Sequence, residues 1–238
     1  MISAFSFLTV FGSGATPDHR SMRWFPLVGA VVGALVGTCW WGAGHVASPL
    51  LAAALAVAID LIVTGLLHVD GLADASDGLL PHMSVDKRLA VMKEPTTGAF
   101  GFTVVAMVLL LRVSALSTQP VSPLLVIGLW TLARSMMVIV ALTLPSARPG
   151  SISALFIGPG QRRTATLAAA GLGLAGGAAL VIVGRGWLGL AVVGCAIGAA
   201  GAVAALARRR VGGFTGDVLG ALGVVAETVG LIVAATQW

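Results

Sequence analysis

Runs of about 20 apolar residues recur from Phe25 to Trp238, each long enough to cross a hydrocarbon core about 30 Å thick at a helical rise of 1.5 Å per residue. With 58% hydrophobic and only 10% charged residues, a chain of 238 residues has too little polar surface to coat a soluble globule. Soluble and disulfide-rich secreted classes are excluded. Cys39 and Cys195 both fall inside apolar runs, where cysteine packs as a small hydrophobe, so neither a disulfide nor a thiolate metal cluster is indicated.

The strongest spans are expected at about 25–45, 50–69, 98–117, 121–144, 166–183, 187–207 and 217–238. The expected fold is an all-α polytopic integral membrane helical bundle of about seven transmembrane helices, forming one membrane domain over residues 1–238. Residues 1–12 are apolar but too few to span and lack a basic leader, so they read as a short N-terminal interfacial helix. Glycines at 29, 33 and 37 have the small-xxx-small spacing that lets helix backbones approach closely in lipid.

Charge then orients the bundle. Arg20, Arg23, Lys87, Arg88, Lys93, Arg148, Arg162, Arg163 and Arg208 to Arg210 fall in alternate loops and so share one face, while Arg185 alone marks the other. The positive-inside rule makes the basic face cytoplasmic. The net charge of +5 is explained by this distribution, and no nucleic-acid partner is implied. Asp70, Asp74, Asp77, Asp86, Glu94 and Asp217 flank the same loops, with Asp18 beside them. Orientation rules say nothing about acids, so this gathering needs another cause.

The segment 68–78 supplies one. Asp70, Asp74 and Asp77 stand at i, i+4 and i+7, which at about 100° per residue places them on one narrow helical stripe. Like charges so arranged repel, and a divalent cation offsets the repulsion. Carboxylates are hard ligands suited to Mg²⁺, which keeps positions for water and substrate phosphates. Gly71, Ala73, Ala75 and Gly78 are read as leaving room for a phosphate to approach. Beside such a metal, Lys87, Arg88, Lys93 and Arg148 are candidates to neutralise phosphate charge, which is the equipment of phosphoryl or nucleotidyl transfer. No G-x-x-x-x-G-K-[ST] occurs, so ATP hydrolysis is not indicated.

A second cluster, Gly212 to Gly220, opens the last span. Thr215 is placed as an N-cap and Asp217 in the first turn, and Gly213 is positioned to let backbone N–H groups face a phosphate. Asp60, Arg112, Arg134 and Glu227 lie within apolar runs, where an ionisable group costs at least ~2.5 kcal/mol and marks a functional suspect; interhelical pairing with an arginine is the favoured resolution for Asp60, while Glu227 stands evenly between support of the site and structure. His68 is expected to make a helix-end hydrogen bond.

Together, Phe25-Pro26-Leu27-Val28-Gly29, the run His68 to Gly78, Met92-Lys93-Glu94-Pro95 leading to Gly98-Ala99-Phe100-Gly101, and Gly212 to Asp217 resemble the cobalamin synthase family, the adenosylcobinamide-GDP ribazoletransferases, over nearly the whole chain. The resemblance implies a Mg²⁺-dependent enzyme of the bacterial cytoplasmic membrane, its site facing the cytoplasm. It would join adenosylcobinamide-GDP to alpha-ribazole or its 5'-phosphate and release GMP. It further implies that Asp70, Asp74 and Asp77 bind metal and diphosphate, and that Asp217 belongs to the catalytic set. Lys93, Glu94, Arg88, Arg148, Thr215, Gly213 and Glu227 would line the substrates. Thr96 stands where members commonly have Arg, and Val224 where they often have Glu. Two other readings compete: a CDP-alcohol phosphatidyltransferase, whose D-G-x-x-A-R opening is absent, and an ion-coupled transporter, suggested by the charges inside spans. The oligomeric state, a homo-oligomer included, is left open.

Overall fold

The computed structural model describes residues 1–12, 20–148 and 163–236; Asp18, Arg162 and the last two residues of the final expected span lie outside them. The described helices are α1 (Ile2–Leu8), α2 (Phe25–Ala43), α3 (Pro49–Val63), α4 (Leu67–Leu79), α5 (Val85–Val91), α6 (Ala99–Ser117), α7 (Pro123–Thr143), α8 (Arg163–Arg185), α9 (Leu188–Val211) and α10 (Gly216–Ala234). Apart from one isolated bridge between Ser146 and Phe214, no extended pairing occurs among the described residues.

The helix starts follow local chemistry. Ser48, Ser122 and Thr215 accept hydrogen bonds from the Leu51, Leu125 and Val218 amides and so cap α3, α7 and α10, while prolines occupy the first turn of α2, α3 and α7, where a missing N–H costs nothing. Six helices, α2 and α6 to α10, are long and apolar enough to cross a membrane. The chain is therefore a multi-pass membrane protein.

Helix α7 forms the centre, buried along most of its length and packed by α2, α8 and α10. The glycine stripe of α2 serves this packing. A Cβ at Gly29 would lie 2.5 Å from the Trp130 carbonyl oxygen, one at Gly33 2.8 Å from the Ile127 Cα, and one at Gly37 3.0 Å from the Pro123 Cα. Larger side chains would push α2 off α7.

The second expected span, 50–69, is not one helix. Helix α3 stops at Val63, and α4 leaves it at 88°. Gly65 and Leu66 both take positive φ, 57° and 63°, which turns the chain, and the Leu66 amide reaches back to the Leu61 carbonyl to close the end of α3. The turn is braced by α1, whose following residue Val10 donates its amide to the Val63 carbonyl. The aspartate row thus rides on α4, a 13-residue arm lying across one end of the bundle and outside the six spanning helices.

Contacts distinguish the two ends of the bundle. Arg88, Arg148 and Arg163 reach the carbonyls of Gly78, Leu89 and Leu142, all at the end where α4 lies, whereas Arg185 contacts Gln119 and Pro120 at the turn between α6 and α7.

Candidate active site

Asp70 and Asp74 face a cleft of about 230 Å³ whose opposite wall is the segment Met92 to Thr97, so Lys93 and Glu94 stand across from the two carboxylates. Asp70 is exposed and Asp74 half-buried. Asp217 joins them from the first turn of α10, because α4 and α10 approach closely at Gly71: a Cβ there would lie 3.0 Å from the Asp217 carbonyl oxygen. The far end of the chain is thereby brought to the aspartate row, as expected.

Arg148 offsets part of this negative charge. Its Nη1 donates to Asp217 Oδ2 at 3.2 Å and its Nη2 to the Leu89 carbonyl at 2.8 Å, tying the loop after α7 to both α10 and α5. Thr215 Oγ1 donates to the same Asp217 oxygen while accepting the Val218 amide. The balance remains anionic. Burial pushes the Asp74 carboxyl up to about 6, with Asp70, Asp217 and Asp77 adding to the effect and Arg148 opposing it. A bound cation would relieve that strain.

Asp77 is placed differently from its two neighbours. Its carboxylate is buried and accepts the amides of Gly98 at 2.7 Å and Gly101 at 2.9 Å, so it caps the start of α6 and fixes the loop that forms the cleft's far wall. No three His, Cys, Asp or Glu side chains among the described residues converge as a complete metal site. Two or three carboxylates at a cleft still suit Mg²⁺, which fills its other positions with water and substrate phosphate.

Several expected substrate contacts have structural partners instead. Arg88 is 3% exposed and donates to the Gly78 and Leu79 carbonyls, capping the end of α4, so its guanidinium is turned away from the cleft. Gly213 packs on the Pro145 carbonyl, where an added Cβ would lie at 2.1 Å, and the adjoining Phe214 amide donates to that carbonyl. The space beside Gly71 and Gly78 is likewise filled, by the Asp217 backbone and the Met92 side chain, and does not admit a phosphate.

Glu227 lies well inside the bundle, ten residues after Asp217 and about 15 Å along the same helix. There it bridges Arg112 and Arg134, while Asp60 accepts Arg112 Nη1 at 2.8 Å and Trp130 Nε1 at 2.8 Å. Arg112 also donates to Thr228 and to the Val224 carbonyl. The pairing expected for Asp60 is borne out, and Glu227 takes a structural place in the same network, with two cations matched to two anions. This removes the observation that favoured an ion-coupled transporter.

One expectation fails outright. His68 makes no helix-end hydrogen bond: it is 4% exposed, and neither ring nitrogen has a partner among the described residues. Nor is α1 merely a surface anchor. Phe7 stacks on Phe25 with ring centroids 6.3 Å apart, and Phe7 and Leu8 wall a second cavity of about 200 Å³ that shares Asp70 with the cleft. Nothing in the apolar run 1–12 distinguishes this role, because it depends on contact with residues far along the chain.

Residues 1–235 match the family model described as cobalamin-5-phosphate synthase. A protein of Chlorobium phaeovibrioides is 34% identical over 95% of this chain and 93% of its own length. One of Brucella anthropi is 36% identical over 94% and 90%, and one of Syntrophobacter fumaroxidans 33% over 99% and 98%. All three are named adenosylcobinamide-GDP ribazoletransferase. No solved structure matches. A match over nearly the whole length means that this chain belongs to the cobalamin-5-phosphate synthase family.

Proposed function

We propose that this protein is an adenosylcobinamide-GDP ribazoletransferase whose reaction takes place in the cleft between α4 and residues 92–97, on the cytoplasmic face of the membrane. The observation that carries the reading is the meeting of Asp70, Asp74 and Asp217 beside Arg148 and Lys93 at the basic end of the bundle. Asp70 and Asp74, with Asp217 across from them, would hold Mg²⁺. When bound, that ion neutralises the diphosphate and makes its phosphorus more electrophilic.

A ribose hydroxyl of ribazole attacks the phosphorus on the cobinamide side and gives up its proton to water, a new P–O bond forms, the anhydride bond breaks, and GMP leaves with the bonding electrons. Lys93, exposed on the cleft wall, supplies a point charge to the phosphates. Thr96 leaves that wall without a guanidinium fork, so Arg148 is the planar cation nearest the carboxylates, held there by Asp217 and Leu89. Asp77 keeps the wall in register through the Gly98 and Gly101 amides.

The test is release of GMP by the purified protein in liposomes, given adenosylcobinamide-GDP, ribazole and Mg²⁺. Release that needs both substrates and stops on chelation supports the reading. Release without ribazole, or undiminished by chelation, overturns it.

A further inference from the structure

The site aspartates stand on two helices, Asp70 and Asp74 on α4 and Asp217 on α10, so the space between their carboxylates depends on how closely the two backbones approach. They meet at glycines. A Cβ at Gly71 would lie 3.0 Å from the Asp217 carbonyl oxygen and 3.1 Å from its Cα, and one at Gly220 would lie 3.3 Å from the Cα and the carbonyl oxygen of His68. Each neighbour is main chain, which cannot swing aside as a side chain does.

Neither helix is free to slide. The start of α10 is pinned to the loop after α7, where the Phe214 amide donates to the Pro145 carbonyl and the Ala147 amide to the Phe214 carbonyl. The far end of α4 is held by Arg88 on the Gly78 and Leu79 carbonyls and by the Gly98 and Gly101 amides on Asp77. Asp70 acts electrostatically on Asp217 and both act on Asp74, so the three carboxylates share one region. A methyl group added at Gly71 would therefore move the Asp217 backbone away from Asp70 by a few tenths of an ångström.

That displacement is the size of the difference between two ions. Mg²⁺ takes oxygen ligands at about 2.0–2.1 Å in near-ideal octahedral geometry, whereas Ca²⁺ accepts flexible shells at about 2.3–2.6 Å. Carboxylates can rotate, but only within the limits that their backbones set. We propose that Gly71, assisted by Gly220, is a positioning residue that keeps the gap between Asp70 and Asp217 matched to Mg²⁺ and too narrow to suit Ca²⁺ equally well. The proposal rests on the transferase reading, in which Asp70, Asp74 and Asp217 hold the ion, and adds what makes the site selective.

The experiment needs no turnover. Mn²⁺ bound to the full chain in nanodiscs of zwitterionic lipid is followed by electron paramagnetic resonance while Mg²⁺ or Ca²⁺ displaces it. Gly71→Ala is expected to lose about tenfold in Mg²⁺ affinity, the scale of disturbing groups that orient metal ligands, with Ca²⁺ affinity held within about twofold. Gly220→Ala, whose contact is looser, should shift the ratio the same way by less, and it carries the test if the Gly71 variant does not fold. Gly216→Ala, beside Asp217 but with open space where its Cβ would go, should keep the wild-type ratio. A ratio unchanged in the Gly71 and Gly220 variants, an equal loss of both ions, or the same shift in Gly216→Ala overturns the proposal and leaves the metal reading standing. No Mn²⁺ signal in wild type, or one that survives in Asp74→Asn, removes the metal reading of the transferase site and the proposal with it.

Discussion

Asp60, Arg112, Arg134 and Glu227 show what a charge inside this bundle requires. Each is buried, and the set joins α3, α6, α7 and α10 as two cations and two anions. Arg112→Met removes the guanidinium that both acids share and should cost about 3–5 kcal/mol, read as a lowered melting temperature in detergent. An unchanged melting temperature would contradict the network's role. At the cleft the imbalance runs the other way. Because the Asp74 carboxyl is raised to about 6 in the folded chain, the metal-free protein loses stability as pH rises from its ordinary value near 4 through 6. Mg²⁺ should therefore raise the melting temperature more at pH 7 than at pH 5, whereas an equal or reversed shift would mean that the carboxylates are not its ligands. These residues were only partly legible in advance. The i, i+4, i+7 spacing exposes the row at 70, 74 and 77, but the partners of Asp77 and Arg88 lie 21 to 24 and 9 to 10 residues away and depend on how α4, α5 and α6 meet.

At the scale of elements, α4 is the organising piece. Its buried face packs on α10 and α6, and the 88° turn before it converts what reads as one apolar run into a spanning part and a lateral part. Six of the expected helices could be read from apolar length alone, since each run of about 20 residues has one economical solution in lipid. The turn could not. Leu61 to Val69 contains no proline and little polarity, and a leucine at φ 63° leaves no mark in composition; Gly65 is the only local hint. Helix α6 depends on α4 through the Asp77 cap. Asp77→Ala should lower stability by about 1–2 kcal/mol and speed amide exchange at residues 98–101. Faster exchange elsewhere but not at that helix start would contradict the assignment.

For the whole molecule, one end is chemically distinct from the other. The end containing α4 gathers Arg88, Arg148 and Arg163 with Asp70, Asp74 and Asp217, while Arg185 sits at the opposite end beside Gln119 and Pro120. In a background lacking Cys39 and Cys195, Lys87→Cys should react with a membrane-impermeant maleimide only from the cytoplasmic side, and Gly186→Cys only from the other. The reverse pattern would place the cleft outside. Within this frame the transferase has a largely apolar cavity and a carboxylate cleft that both touch Asp70, with the Arg148 loop tied to Asp217 beside them. The most direct test of the account is the rate of GMP release by Asp74→Asn against wild type in matched proteoliposomes at saturating Mg²⁺. The account predicts a loss of at least about a hundredfold with the fold intact, the scale of removing a group that stabilises transition-state charge. A variant that releases GMP at the wild-type rate would contradict it.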